Sequence, residues 1–164
     1  MGRRPLTRSA LIRVVAAALL GAGVVLGLRL WVVEPVTVVS DSMAPTVLPG
    51  STLLVSRLEV PASPADVGRL VVFRSPDDGQ STLKRVIAVA GQTLAVRDGV
   101  LYVDEVVVPE PHVDFRQVDA TFFGLTLIPA GHVFVMGDNR EASIDSRDYG
   151  PVPVDDVVGM VLWH

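Results

Sequence analysis

Twenty consecutive residues, Val14 to Val33, carry a single charge, Arg29. Wound into a helix at about 1.5 Å per residue, such a run spans about 30 Å, the hydrocarbon thickness of a bilayer. Whatever follows must therefore fold beside a membrane or be cut away from this run. Arg29 stands near the far end, where its aliphatic stem reaches the headgroups, and Trp31 suits the same interface. Arg3, Arg4, Arg8 and Arg13 precede the run, and residues 1–33 hold no acid. Positive flanks stay inside, so the expected order is a basic cytoplasmic N-terminus (1–13), a transmembrane signal anchor (14–33) and an extracytoplasmic domain (34–164). The alternative is a cleaved secretory signal, with Ala16-Ala17-Ala18 as a mimic of a cleavage site. Apolar segments of such signals usually cover about 7–15 residues, so the length argues for a retained anchor. Gly23 and Gly27 form a small-residue step of the kind that pairs helices, but ordinary membrane-helix composition explains it equally well.

Beyond the run the charge reverses. Residues 36–164 hold eight Arg, one Lys and seventeen acids, a balance unlike that of a nucleic-acid binder. With 49% hydrophobic residues the chain is not disordered, and the absence of cysteine excludes disulfides, thiolate metal sites and a cysteine nucleophile. The apolar residues from Glu34 onward are dominated by Val in short runs broken by Gly, Pro and Asp, which is strand chemistry. Strands are expected at Val36–Ser40, Thr52–Ser56, Leu70–Arg74, Leu83–Val89, Leu94–Arg97, Val100–Val103, His132–Met136 and Val157–Leu162. Asp98-Gly99 reads as a two-residue hairpin turn, and Val113–Phe123 as an irregular excursion. The expected fold is mainly β: a compact, antiparallel, barrel-like domain behind one N-terminal transmembrane helix.

Three polar clusters are candidates for chemistry. In the first, Ser40-Asp41-Ser42-Met43-Ala44-Pro45-Thr46, strand alternation would place Val38, Ser40 and Ser42 on one face, although an ordinary polar turn before Pro45 fits as well. The second is Lys84, the one Lys beside thirteen Arg. Alternation groups Lys84 with Val86 and Ala88, an apolar face that would lower its pKa and make the amine a general base. A lysine at a sheet edge, guarding against aggregation, is the other reading. The third is the loop Gly137 to Asp148, in which Asp145 with Arg147, or Asp138 with Arg140, could pair. Its spacing lacks the calcium-loop pattern, so neither a metal nor a cofactor is expected. His112, His132 and His164 have no motif around them. Together, a hydroxyl and a buried amine suit a Ser/Lys dyad, a variant of triad logic.

Ser42-Met43-Ala44-Pro45-Thr46, Lys84-Arg85-Val86-Ile87 and Gly137-Asp138-Asn139-Arg140 with Ser143, Asp145, Ser146 and Arg147 resemble, in that order, the boxes of bacterial type I signal peptidases (leader peptidases). Gly68-Arg69-Leu70-Val71-Val72-Phe73 resembles the strand box between the first two. The resemblance implies that Ser42 is the nucleophile and Lys84 the general base. Ser40 would stabilise the oxyanion with the Ser42 N–H, Ser143 would hydrogen-bond and orient the lysine, and Asp145 and Arg147 would form a supporting ion pair. It further implies cleavage of signal peptides from exported preproteins at the outer face of the cytoplasmic membrane. The substrate would lie as an added strand, its small side chains in pockets for which Val38, Met43 and Leu83 are candidates. Asp41 departs from the usual Gly and is expected to face water. The 58 residues between Lys84 and Ser143 leave no room for a large inserted domain. Ser81-Thr82-Leu83-Lys84 also matches an S-x-x-K signature, but the companion K-T-G motif needs a second lysine that the chain lacks. Two other readings remain: a peptidase of the same fold dedicated to one partner protein, and a membrane-tethered β module that binds peptides without cutting them.

Overall fold

The structure is a computed structural model and describes residues 8–113 and 122–163. Helix α1 covers Arg8–Val32. Within it Arg8–Gly27 has a mean hydropathy of 2.2 and no part buried against the rest of the protein, long and apolar enough to cross a membrane. The side chains of Arg29 and Trp31, and residues 1–7 with Arg3 and Arg4, lie outside what is described.

The chain passes from α1 straight into strand β1 (Val33–Thr37), which pairs antiparallel with β2 (Thr52–Ser56). The expected strand over Val36–Ser40 is thus displaced by three residues toward the helix. The β-branched Val33 already adopts strand geometry, and Pro35, which has no N–H to donate, sits on an edge strand where none is needed. Strands β3 (Leu70–Arg74), β4 (Ser81–Val89), β5 (Thr93–Arg97) and β6 (Val100–Val103) fall where expected to within two residues. Asp98-Gly99 turns β5 into β6 with both residues at positive φ, 52° and 76°. The short β7 (Val106–Val107) and β8 (Phe123–Leu127) were not anticipated. In β8 the alternation is blurred by Gly124 and Thr126, and three of its five residues are exposed. The irregular excursion expected over 113–123 falls largely on residues 114–121, outside the described residues. Strand β9 (His132–Met136), a one-turn helix α2 (Ser146–Tyr149), β10 (Val152–Pro153) and β11 (Val157–Trp163) complete the described chain.

All pairings are antiparallel. Seven strands order as β1-β2-β11-β3-β4-β9-β10 and four as β7-β6-β5-β8, giving a curled half-barrel in line with the mainly β, barrel-like domain expected. Ile87, Leu94, Leu101, Phe134 and Met136 pack between the sheets, and Phe123 meets Phe134 with ring centroids 5.2 Å apart. A second cluster around Val71, Phe73, Val86 and Met160, and a third around Val38, Met43, Leu53 and Leu83, fill the curl of the larger sheet.

Gly159 shows how closely β11 is inserted between β2 and β3. A Cβ there would stand 2.1 Å from the Ser56 carbonyl oxygen and 2.9 Å from Val55 Cγ1. Overpacking of this kind costs about 1–3 kcal/mol. Gly159→Ala is expected to lower the melting temperature by several degrees, and an unchanged thermal transition would show that the ladder relaxes freely.

Candidate active site

Lys84 projects from β4, which lies inside the larger sheet between β3 and β9, so the edge-lysine reading fails. The residue is 3% exposed, and its Nζ stands 2.8 Å from Ser42 Oγ. Burial pulls the amine below the usual lysine range and Arg147 adds to the effect, while Asp145 and Asp41 oppose it. The face expected for Lys84 is nevertheless wrong at one member. The β4–β9 register slips between Val86 and Ala88, so Ala88 joins Ile87 in the inter-sheet core while Val86 packs in the other cluster. One extra residue in a strand reverses every later side chain, and composition does not reveal it.

Ser40 and Ser42 lie past the end of β1, in a bend and turn rather than on a strand. Their hydroxyl oxygens still approach to 3.2 Å. The bend is held by Val38 N–H donating to Ser51 O and Gly50 N–H to Val38 O, at 2.9 and 2.8 Å. The turn itself is held by Ala44 N–H to Asp41 O and Val47 N–H to Met43 O. The Ala44–Pro45 peptide is cis. Asp41 faces water, as expected for its charge.

The loop after β9 closes over this turn. Asn139 N–H donates to Ser42 O at 3.0 Å and Asn139 Nδ2 to Asp41 O at 3.3 Å, a clamp on the serine that no motif had assigned to Asn139. Gly137 fits so closely that a Cβ on it would stand 2.5 Å from Ser42 O and 2.3 Å from Ser143 Oγ. Asp145 organises the loop from full burial. It accepts from Gly137 N–H (3.0 Å), Ser143 Oγ (2.8 Å), Arg147 Nε (2.8 Å) and Arg147 Nη2 (2.9 Å), and caps α2 in a reciprocal box with Asp148. Burial alone would raise its pKa, but the guanidinium and these donors outweigh it and hold the carboxyl below the usual range. Ser143, for which the resemblance implies a hydrogen bond to the lysine, donates its hydroxyl hydrogen bond to this carboxylate, a strong acceptor.

Of the two ion pairs the sequence offered, Asp145–Arg147 forms. Asp138 does not pair with Arg140. It accepts from Arg85 Nε and Nη2 at 2.8 and 2.6 Å, because the ladder sets Arg85 opposite Met136, two residues from Asp138. Arg140 turns to Glu110, a residue the sequence did not single out. His112 Nε2 is 3.6 Å from Asp138 Oδ1, and His132 Nδ1 contacts the Ala130 carbonyl. His164 lies outside the described residues. Beside Ser40 opens a cleft of about 320 Å³, lined in part by Val36, Val38, Val72, Thr82 and Leu83. Met43, also expected there, is instead 1% exposed and packed in the core against the cleft's floor residues Val38 and Leu83.

A mainly β body that sets a serine hydroxyl against a buried amine has the arrangement of a serine peptidase. The family described as "Signal peptidase, peptidase S26" matches residues 11–164, and the chain belongs to that family. It is 37% identical over 147 residues to a probable signal peptidase I-1 of Synechocystis sp., covering 84% of this chain and 73% of the relative. It is 34% identical over 152 residues to signal peptidase I of Bacillus caldolyticus, covering 84% and 82%. Among solved structures, a signal peptidase I of Enterococcus faecalis superposes with a TM-score of 0.54 at 31% identity, over 61% of this chain and 98% of that one.

Proposed function

We propose that this chain is a membrane-anchored endopeptidase that removes signal peptides from exported preproteins at the outer face of the cytoplasmic membrane. Ser42 is the nucleophile and Lys84 the general base. The observation that carries the reading is the buried Lys84 nitrogen 2.8 Å from Ser42 Oγ. With the amine neutral, its lone pair takes the Ser42 proton as Oγ attacks the scissile carbonyl. The Ser40 hydroxyl and the Ser42 N–H stabilise the oxyanion, which forms only in the tetrahedral state, where such donors accelerate rather than merely bind. The resulting ammonium then protonates the leaving amine, and a water activated by the same lysine frees the acyl group. The apolar run from Val14 to the end of α1 at Val32 anchors the enzyme with residues 1–13 in the cytoplasm, which brings the cleft to a substrate whose own apolar segment sits in the same bilayer. The substrate adds as a strand, its small residues before the cut resting against Val38 and Leu83.

Full-length protein in liposomes, given a preprotein, is expected to cut after a small residue, mapped by mass spectrometry, and Ser42→Ala is expected to stop it. Cleavage by Ser42→Ala at the wild-type rate would overturn the reading. The pH profile is a separate expectation. The active form is the neutral amine and burial lowers its pKa, so kcat/KM climbs with pH through a limb whose midpoint lies below the ordinary lysine value of about 10.4. A limb at or above that value would mean that the titrating base is not this lysine.

A further inference from the structure

Glu110 and Arg140 form a buried pair, 4% and 6% exposed. The guanidinium meets the carboxylate through two nitrogens, Nη1 at 3.1 Å from Oε2 and Nη2 on Oε1. Its remaining nitrogen, Nε, donates to Gly137 O at 3.0 Å. That contact links the pair to the dyad. The Gly137 N–H is bound to Asp145, a Cβ on Gly137 would run into Ser143 and the Ser42 carbonyl, and Asp145 acts electrostatically on Lys84. The Arg140 carbonyl in turn accepts from Arg147 Nη2 at 2.9 Å, which closes the loop on itself. Glu110 is a fixed support. It stands between Pro109 and Pro111, in a segment tied down by Val108 N–H to Leu101 O at 3.0 Å and Val113 N–H to Glu110 O at 3.1 Å.

We propose that Glu110 is a positioning residue for catalysis: through Arg140 it fixes the Gly137 peptide and so sets the distance between Ser42 and Lys84. This rests on the peptidase reading above. A buried ion pair need not stabilise a fold, since apolar replacements of similar volume are often neutral. A structural and a positioning role are therefore separable. Displacement of reacting groups by about 1 Å costs about 100-fold in rate.

The test compares the full-length wild type with Glu110→Gln and with the double variant Glu110→Leu, Arg140→Met, measuring kcat, KM, the pH profile and the melting temperature in detergent. The double variant removes the pair without leaving a buried charge behind. Both variants are expected to lose about tenfold to 100-fold in kcat with KM within about twofold. The acid limb of kcat/KM is also expected to move, because the field of Asp145 and Arg147 on Lys84 changes. Glu110→Asp, which keeps the charge, is expected to recover part of the loss. A folded double variant with wild-type kcat and an unmoved limb overturns the proposal. So does activity lost only in proportion to unfolded protein in every variant, which would make the pair purely structural. A wild type that cuts no preprotein sinks the peptidase reading and this inference with it, whereas an active wild type with indifferent variants sinks this inference alone.

Discussion

Lys84→Arg is expected to abolish cleavage, with kcat falling by about 10⁴-fold or more, the scale seen when one member of a catalytic unit is removed. The substitution keeps the positive charge available to the site and preserves a long aliphatic stem. It removes the one property the chemistry needs, because a guanidinium does not release its proton in a protein and has no lone pair to offer. It also forces a permanent charge into a position that is 3% exposed and shaped for a neutral amine, so the melting temperature should fall. Lys84→Met separates the two effects. It removes the base, fills similar volume and leaves no charge to bury, so it should be equally inactive with a near-normal thermal transition. A β module that only binds peptides predicts something else, namely affinity for a signal-peptide segment retained in both variants and no turnover to lose. Single-turnover cleavage by purified Lys84→Arg at even a tenth of the wild-type rate would remove the lysine from the mechanism.

The parts of the site legible in the sequence are those whose chemistry is unusual for their place. A lone lysine among arginines, inside an apolar strand, reads as either a buried amine or an edge lysine, and the serines after a Val-rich run as either a strand face or a polar turn; only the two together suit a dyad, and the resemblance assigned their roles. The strands were legible because Val and Ile crowd them and Gly, Pro and Asp end them. What escaped was long-range. Asp138 could not be matched to Arg85 without the β4–β9 register, and the extra residue at Ile87, which hands Ala88 to the other core, leaves no trace in local composition. Glu110 looked like a loop acid between two prolines, and only the tertiary fold places it on Arg140. Met43 looked like a pocket wall from its neighbour Ser42, but the turn directs it into the core. Ser143 was found by resemblance, while the direction of its hydroxyl follows from where the Asp145 carboxylate sits.

Gly137→Ala is the second large expected effect, and it tests whether the loop after β9 holds the nucleophile in place. The added methyl would stand 2.3 Å from Ser143 Oγ, 2.5 Å from Ser143 Cβ and 2.5 Å from the Ser42 carbonyl oxygen. A side-chain hydroxyl can swing aside, but a backbone carbonyl moves only with its turn, so Ser42 must shift. Gly137 has little room to retreat: its N–H is bound to Asp145 and its carbonyl to Arg140 Nε, both at 3.0 Å. A displacement near 1 Å at the nucleophile is expected to cost about 100-fold in kcat, with KM changed far less because the cleft walls at Val38 and Leu83 are not touched. Stability should fall by about 1–3 kcal/mol, the usual result of overpacking. Gly124→Ala is the control. It lies exposed on β8 with nothing within 4 Å of the added Cβ, and should leave kcat unchanged. If Gly137→Ala turns over within twofold of wild type while folded, Ser42 is positioned by its own turn alone, and the Asn139 and Asp145 contacts are supports for the fold rather than for the chemistry.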